Sequence, residues 1–88
     1  MKKLQKLLQV ILSGMSDASV AFEDLRYVLL ALGFETRVRG SHHIFRKAGI
    51  EERINLQRDG SKAKPYQVRQ VRRVILDNRL GGGPDAQV

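Results

Sequence analysis

The chain contains no cysteine in its 88 residues, which removes disulfides, thiolate metal sites and a cysteine nucleophile together. Its interior has to hold by packing alone, the usual condition of a cytosolic protein. No stretch reaches the roughly 18 continuous apolar residues needed to span a bilayer. The run around Leu7, Leu8, Val10, Ile11 and Leu12 is interrupted by Gln9 and preceded by Gln5 and Lys6, and no small-residue cleavage site follows it. Neither a signal peptide nor a membrane helix is expected, and a cytoplasmic setting is. The chain also lacks a P-loop, a Gly-x-Ser-x-Gly elbow, a dinucleotide fingerprint and a carboxylate pair at helical spacing. Two histidines without a third ligand at helical or zinc spacing make a poor metal site. No metal and no cofactor is therefore expected.

What is present is a basic chain sized for one small domain. At this length folding buries only about 60 to 65% of the chain's surface, so a large enclosed pocket and a multi-domain enzyme are excluded. The apolar share of 42% suffices for a packed core, and the charged share of 28% fits a folded protein's surface. The net charge of +7 is unevenly spread. Residues 1–36 carry four bases and four acids, whereas residues 37–73 carry eleven bases against three acids, a local excess of +8. A one-sided field of this kind draws polyanions, and an acidic protein partner would be drawn by the same surface.

Periodicity orders the chain. Leu4, Leu7, Leu8, Ile11 and Leu12 form the stripe of an amphipathic helix ending at Ser13-Gly14. Met15–Ser19 reads as a loop. Phe22, Leu25, Val28, Leu29 and Leu32 form a second helical stripe closed by Gly33. From Phe34 the period drops to two: Phe34, Thr36 and Val38 alternate with Glu35, Arg37 and Arg39, the pattern of a half-buried strand. Gly40-Ser41 is a tight turn into a strand that places His43 and Phe45 on one face and His42, Ile44 and Arg46 on the other. A third strand is expected over residues 53–57, then a polar loop over 58–64. Pro65 opens a last helix striped by Val68, Val71, Val74, Ile75 and Leu76, with Arg69, Arg72 and Arg73 pointing outward. Residues 81–88 read as a frayed tail. The expected fold is α+β, with helices on one face of a three-stranded antiparallel sheet.

Gly40-Ser41-His42-His43-Ile44-Phe45 is the segment with chemistry. Histidine is the side chain best suited to proton transfer near neutrality, its ordinary pKa being about 6.5. Arginines can hold a phosphodiester against it. RNA cleavage needs little else, because the 2′-hydroxyl is a built-in nucleophile. Adjacent strand residues point to opposite faces, so one histidine at most serves a given site.

Gly33-Phe34, Arg37, Gly40-Ser41-His42-His43-Ile44-Phe45-Arg46 and the closing Val/Ile helix together resemble the HicA toxins of bacterial toxin–antitoxin pairs. The resemblance covers roughly residues 20–80, and its Gly-Ser-x-His core is the most specific part. It implies a fold similar to double-stranded RNA-binding domains, α-β-β-β-α. It also implies a metal-independent endoribonuclease cleaving messenger RNA, held inactive by a HicB-type antitoxin. Carried over by position, the family's essential histidine is His43, and Gly40 and Ser41 match the motif's turn.

On this reading His43 is the catalytic residue, as general base on the 2′-hydroxyl or general acid on the leaving oxygen. RNA-positioning candidates are Arg39, Gly40, Ser41, His42, Arg46, Lys62, Lys64 and Arg69, with Arg39, Arg46 and Lys64 as phosphate clamps. Arg72 and Arg73 belong to the same generally basic second half. Residues 1–19 form an addition to the family's core, expected to cover part of the core or the partner interface, with a homodimer contact as the sharper alternative. Two rival functions remain open at this point. One is an RNA-binding module that grips by shape and phosphate without cutting. The other is a protein whose basic surface mainly meets an acidic protein partner.

Overall fold

The N-terminal stripe forms helix α1 (Lys2–Ser13) in the computed structural model, which describes residues 2–80. The tail expected over 81–88 lies outside the described residues. Leu8 and Ile11 are buried, and Leu4, Leu7 and Leu12 pack partly buried against the same core. The N-terminal addition thus covers the core. Asp17–Ser19, expected as a loop, forms one turn of 3-10 helix.

Helix α2 (Phe22–Ala31) buries Phe22, Leu25, Val28 and Leu29 and places Glu23 and Asp24 in its first turn, where the positive end of the helix dipole favours carboxylates. Its end is set by Gly33 at φ +98°. There the Phe34 N–H donates to the Leu29 carbonyl at 3.0 Å, the Schellman pattern that only a left-handed residue allows without strain.

Strands β1 (Glu35–Arg39), β2 (His42–Lys47) and β3 (Ile50–Leu56) follow as an antiparallel meander in the order β1-β2-β3. Strand β3 starts earlier than the expected residue 53, because Lys47 pairs with Ile50. Backbone pairing extends the strand through Glu51-Glu52-Arg53, where side-chain alternation gives no cue. The segment expected as a loop after it holds a two-stranded ribbon, β4 (Arg58–Asp59) with β5 (Lys62–Ala63). The ribbon is stitched to the start of α2 by Phe22 N–H to Ser61 O at 3.0 Å and Ala63 N–H to Val20 O at 2.9 Å. Helix α3 (Pro65–Asp77) begins with proline at its first turn, as expected.

Phe45, Ile54 and Leu56 from the sheet meet Leu25 and Leu29 of α2 and Val68, Val71 and Ile75 of α3 in one core. Each such burial contributes about 1.5 to 3 kcal/mol before entropy. Among the described residues no element covers the opposite face of the sheet, on which Glu35, Arg37, Arg39, His42, Arg46, Glu51, Arg53 and Asn55 are all exposed. The architecture is the expected α+β fold, with its helical layer on one face of the sheet. Among the described residues no helix is long and apolar enough to cross a membrane.

Two side-chain expectations on α3 are also corrected. Leu76 is 52% exposed and lies outside the buried stripe. Arg72 does not point outward: its guanidinium donates to Asp17 Oδ1 at 2.9 Å and Oδ2 at 3.2 Å, and to the Ile11 carbonyl at 3.1 Å. The Ile11 carbonyl belongs to the last turn of α1, where no intrahelical partner exists. With side-chain exposures of 20% and 15% for Arg72 and Asp17, the contact ties α1 and the 3-10 turn to α3. Arg73 is exposed as expected but pairs with Glu52 of β3.

Phe45→Ala is expected to cost about 3 to 5 kcal/mol in urea unfolding. Asp17→Ala, which leaves a partly buried guanidinium without its carboxylate, is expected to cost about 1 to 3 kcal/mol.

Candidate functional site

The two histidines of β2 occupy different environments because strand side chains alternate and Phe45 sets the phase. His43 shares the inner face with Phe45. It lies opposite Val38 and Leu56 in the register and meets the Phe22 ring edge-on, with centroids 4.8 Å apart and planes at 69°. Its Nδ1 is buried with no hydrogen-bond partner. Nε2 is not among the buried unpartnered atoms and makes no side-chain hydrogen bond among the described residues, and the neighbouring Val38 is 55% exposed. Arg58 sits 4.5 Å from the centre of the same Phe22 ring and pairs with Glu23 in the first turn of α2. The His43 flank is therefore an imidazole pinned by packing, with one nitrogen sealed, one presented, and a guanidinium close by.

His42 lies on the open face. Its Nδ1 is 3.2 Å from Asn55 Oδ1; that oxygen only accepts, so Nδ1 carries the proton and Nε2 the lone pair. The Gln57 side-chain amide approaches Nε2 at 3.5 Å and donates to Ser41 Oγ at 3.4 Å. Gln57 is held in turn by Gln67, a buried polar residue on α3 whose Oε1 accepts from the Gln57 N–H at 3.3 Å. A chain of hydrogen bonds so runs from the first turns of α3 to the β1–β2 turn. Gly40 makes that turn at φ +58°, a conformation open to glycine at little cost.

The structure brings some predicted residues together and separates others. Arg39 and Arg46 are exposed on the open face with His42, and Gly40 and Ser41 form the turn at its end. Lys62, on β5, bridges through its backbone to Ala21, next to Phe22 and hence to the His43 flank. Lys64 caps the start of α3, and Arg69 is exposed on the outer side of α3 beside Tyr66 and Arg73. His43 faces away from Arg39 and Arg46, across the thickness of β2. Arg37 and Arg53, not among the RNA-positioning candidates read from the sequence, join Arg39 and Arg46 around a shallow depression on the open face; the two-residue alternation in β1 held the signal for Arg37. Arg58 had no local signal, because the ring it covers belongs to α2.

A buried, unpartnered imidazole nitrogen costs stability that an apolar ring does not. His43→Phe is therefore expected to leave unfolding stability unchanged or raise it by up to about 1 kcal/mol. A loss above about 2 kcal/mol would mean that Nδ1 has a partner in solution.

Comparison with protein-family models, with curated proteins and with solved structures finds no match to this chain.

Proposed function

We propose that this chain is a HicA-like, metal-independent endoribonuclease that cleaves messenger RNA in the cytoplasm and is neutralised by a HicB-type antitoxin protein. The observation that supports it is the setting of His43: a ring fixed by Phe22 with Nε2 as the nitrogen free to exchange a proton. The position is the one that the resemblance assigns to the essential histidine. Nε2 takes the 2′-hydroxyl proton while that oxygen attacks the neighbouring phosphorus. The bond from phosphorus to the 5′-oxygen breaks, the leaving oxygen takes a proton from solvent water, and the imidazolium returns its proton to solvent. Arg58, over the Phe22 ring, is a cation placed near such a phosphodiester, and its charge offsets what develops on the phosphodiester oxygens. A single proton-transferring group contributes about 10²- to 10⁴-fold to the rate.

A second reading is favoured by the separation of His43 from Arg39 and Arg46 on opposite faces of β2. A basic face that does not surround the imidazole suits an RNA-binding module without cleavage.

The test is cleavage of a labelled RNA by the purified protein, together with induced expression in bacteria. Wild type is expected to produce defined fragments and arrest growth. His43→Phe, chosen because it keeps the fold, is expected to lower cleavage by about 10²-fold or more and to restore growth. Cleavage at equal rates in both proteins would overturn the role of His43. RNA binding by wild type with no cleavage at all would establish the binding module.

A further inference from the structure

Away from the open face of the sheet, Arg26 and Arg58 pair with Glu23, Arg72 with Asp17 and Arg73 with Glu52, while Arg69 on α3 makes no ion pair among the described residues. Arg37, Arg39, Arg46 and Arg53 make no ion pair and no side-chain hydrogen bond among the described residues, although Glu35 and Glu51 share their face. Like charges this close repel by roughly 1 kcal/mol or less per pair in water, so the cluster contributes nothing to the fold. Each guanidinium keeps a planar fork of donors that matches the oxygens of a phosphate.

We infer that this open face grips the phosphate backbone of RNA through Arg37, Arg39, Arg46 and Arg53, as a contact surface separate from the His43 flank. The inference rests on the RNA reading proposed above. An acidic protein would need an apolar centre to dock on, and the only aliphatic side chain at the middle of this face is the half-buried Ile44. A nucleic acid backbone needs none. The face also carries no Phe or Tyr, so stacking of bases is not its mode of contact and sequence is not read there. Same-face residues recur about every 7 Å along a strand, a regular row of cations facing a regularly charged chain. His42, oriented by Asn55, adds a hydrogen-bonding group where the row meets the Gly40-Ser41 turn. That turn is the short way round from the open face to His43, so one RNA strand can contact both.

The experiment is the salt dependence of binding of a labelled single-stranded RNA, read by fluorescence anisotropy. Four phosphate contacts give a slope of log K against log salt of about −2.8, and the double variant Arg37→Gln/Arg53→Gln is expected to reduce its magnitude by about 1.4. A control with the same loss of charge from the helical layer, Lys6→Gln/Arg26→Gln, is expected to leave the slope unchanged, and circular dichroism checks that both variants fold. If the open-face variant binds with wild-type slope and affinity while His43→Phe still stops cleavage, this inference is wrong and the RNA reading stands. If wild type binds no RNA at any salt concentration, the RNA reading itself fails and takes this inference with it. Binding of polyglutamate in place of RNA, lost in the open-face variant, would assign the face to an acidic protein and overturn the inference as well.

Discussion

Burial of Phe45 is the constraint on which the rest of the molecule depends. Its ring sits fully inside the core among Ile54, Leu56 and the helices, and because strand side chains alternate, its position dictates the facing of every other residue in β2. His43 is turned toward the helical layer, and His42, Ile44 and Arg46 toward the uncovered face. A slip of one residue would exchange the two sets, exposing Phe45 and burying Arg46, and the cost of that exchange keeps the register in place. The chemical identity of each histidine is thus a by-product of hydrophobic packing. One ring ends against Phe22 with a sealed nitrogen, and the other in a polar network with Asn55, Gln57 and Ser41.

The same partition sorts the charge. Arg58, Arg72 and Arg73 meet carboxylates from distant segments and take part in the architecture. The contact of Arg72 with Asp17 and the Ile11 carbonyl is the most enclosed, and it joins the N-terminal helix to the last one. Cations on the open face meet solvent. The formal +7 of the chain therefore describes two populations, one absorbed by structure and one left available. The buried Gln67 holds the backbone of Gln57 and through it the side-chain amide that reaches the β1–β2 turn.

Much of the fold was legible in the sequence. The stripes of α1, α2 and α3, the turn at Gly40-Ser41 and the opposed facing of His42 and His43 all follow from short-range patterns. The first half of β3 was not legible, because Glu51-Glu52-Arg53 has no apolar alternation and is drawn into the strand by pairing with β2. The β4–β5 ribbon was hidden for a similar reason: its residues are mostly polar, and it exists through backbone bonds to Val20 and Phe22. Of the candidate site, the cluster of Arg39, His42 and Arg46 could be read from alternation. The approach of Arg58 to Phe22 beside His43 could not, since it joins a residue after β3 to the first turn of α2.

Apolar period and charge count are local properties of the chain, so the order of residues alone specifies the three long helices, the core of the meander and the gathering of basic residues in the second half. Only the tertiary structure decided which arginines are engaged and which stand open. It also decided which imidazole nitrogen is sealed, and that His43 lies across the sheet from Arg39 and Arg46. Those outcomes depend on partners brought from far along the chain, Asp17 to Arg72, Glu52 to Arg73 and Phe22 to His43. The physical reason is that periodicity is set by bonds between neighbours, whereas pairing and burial are set by the closure of the core.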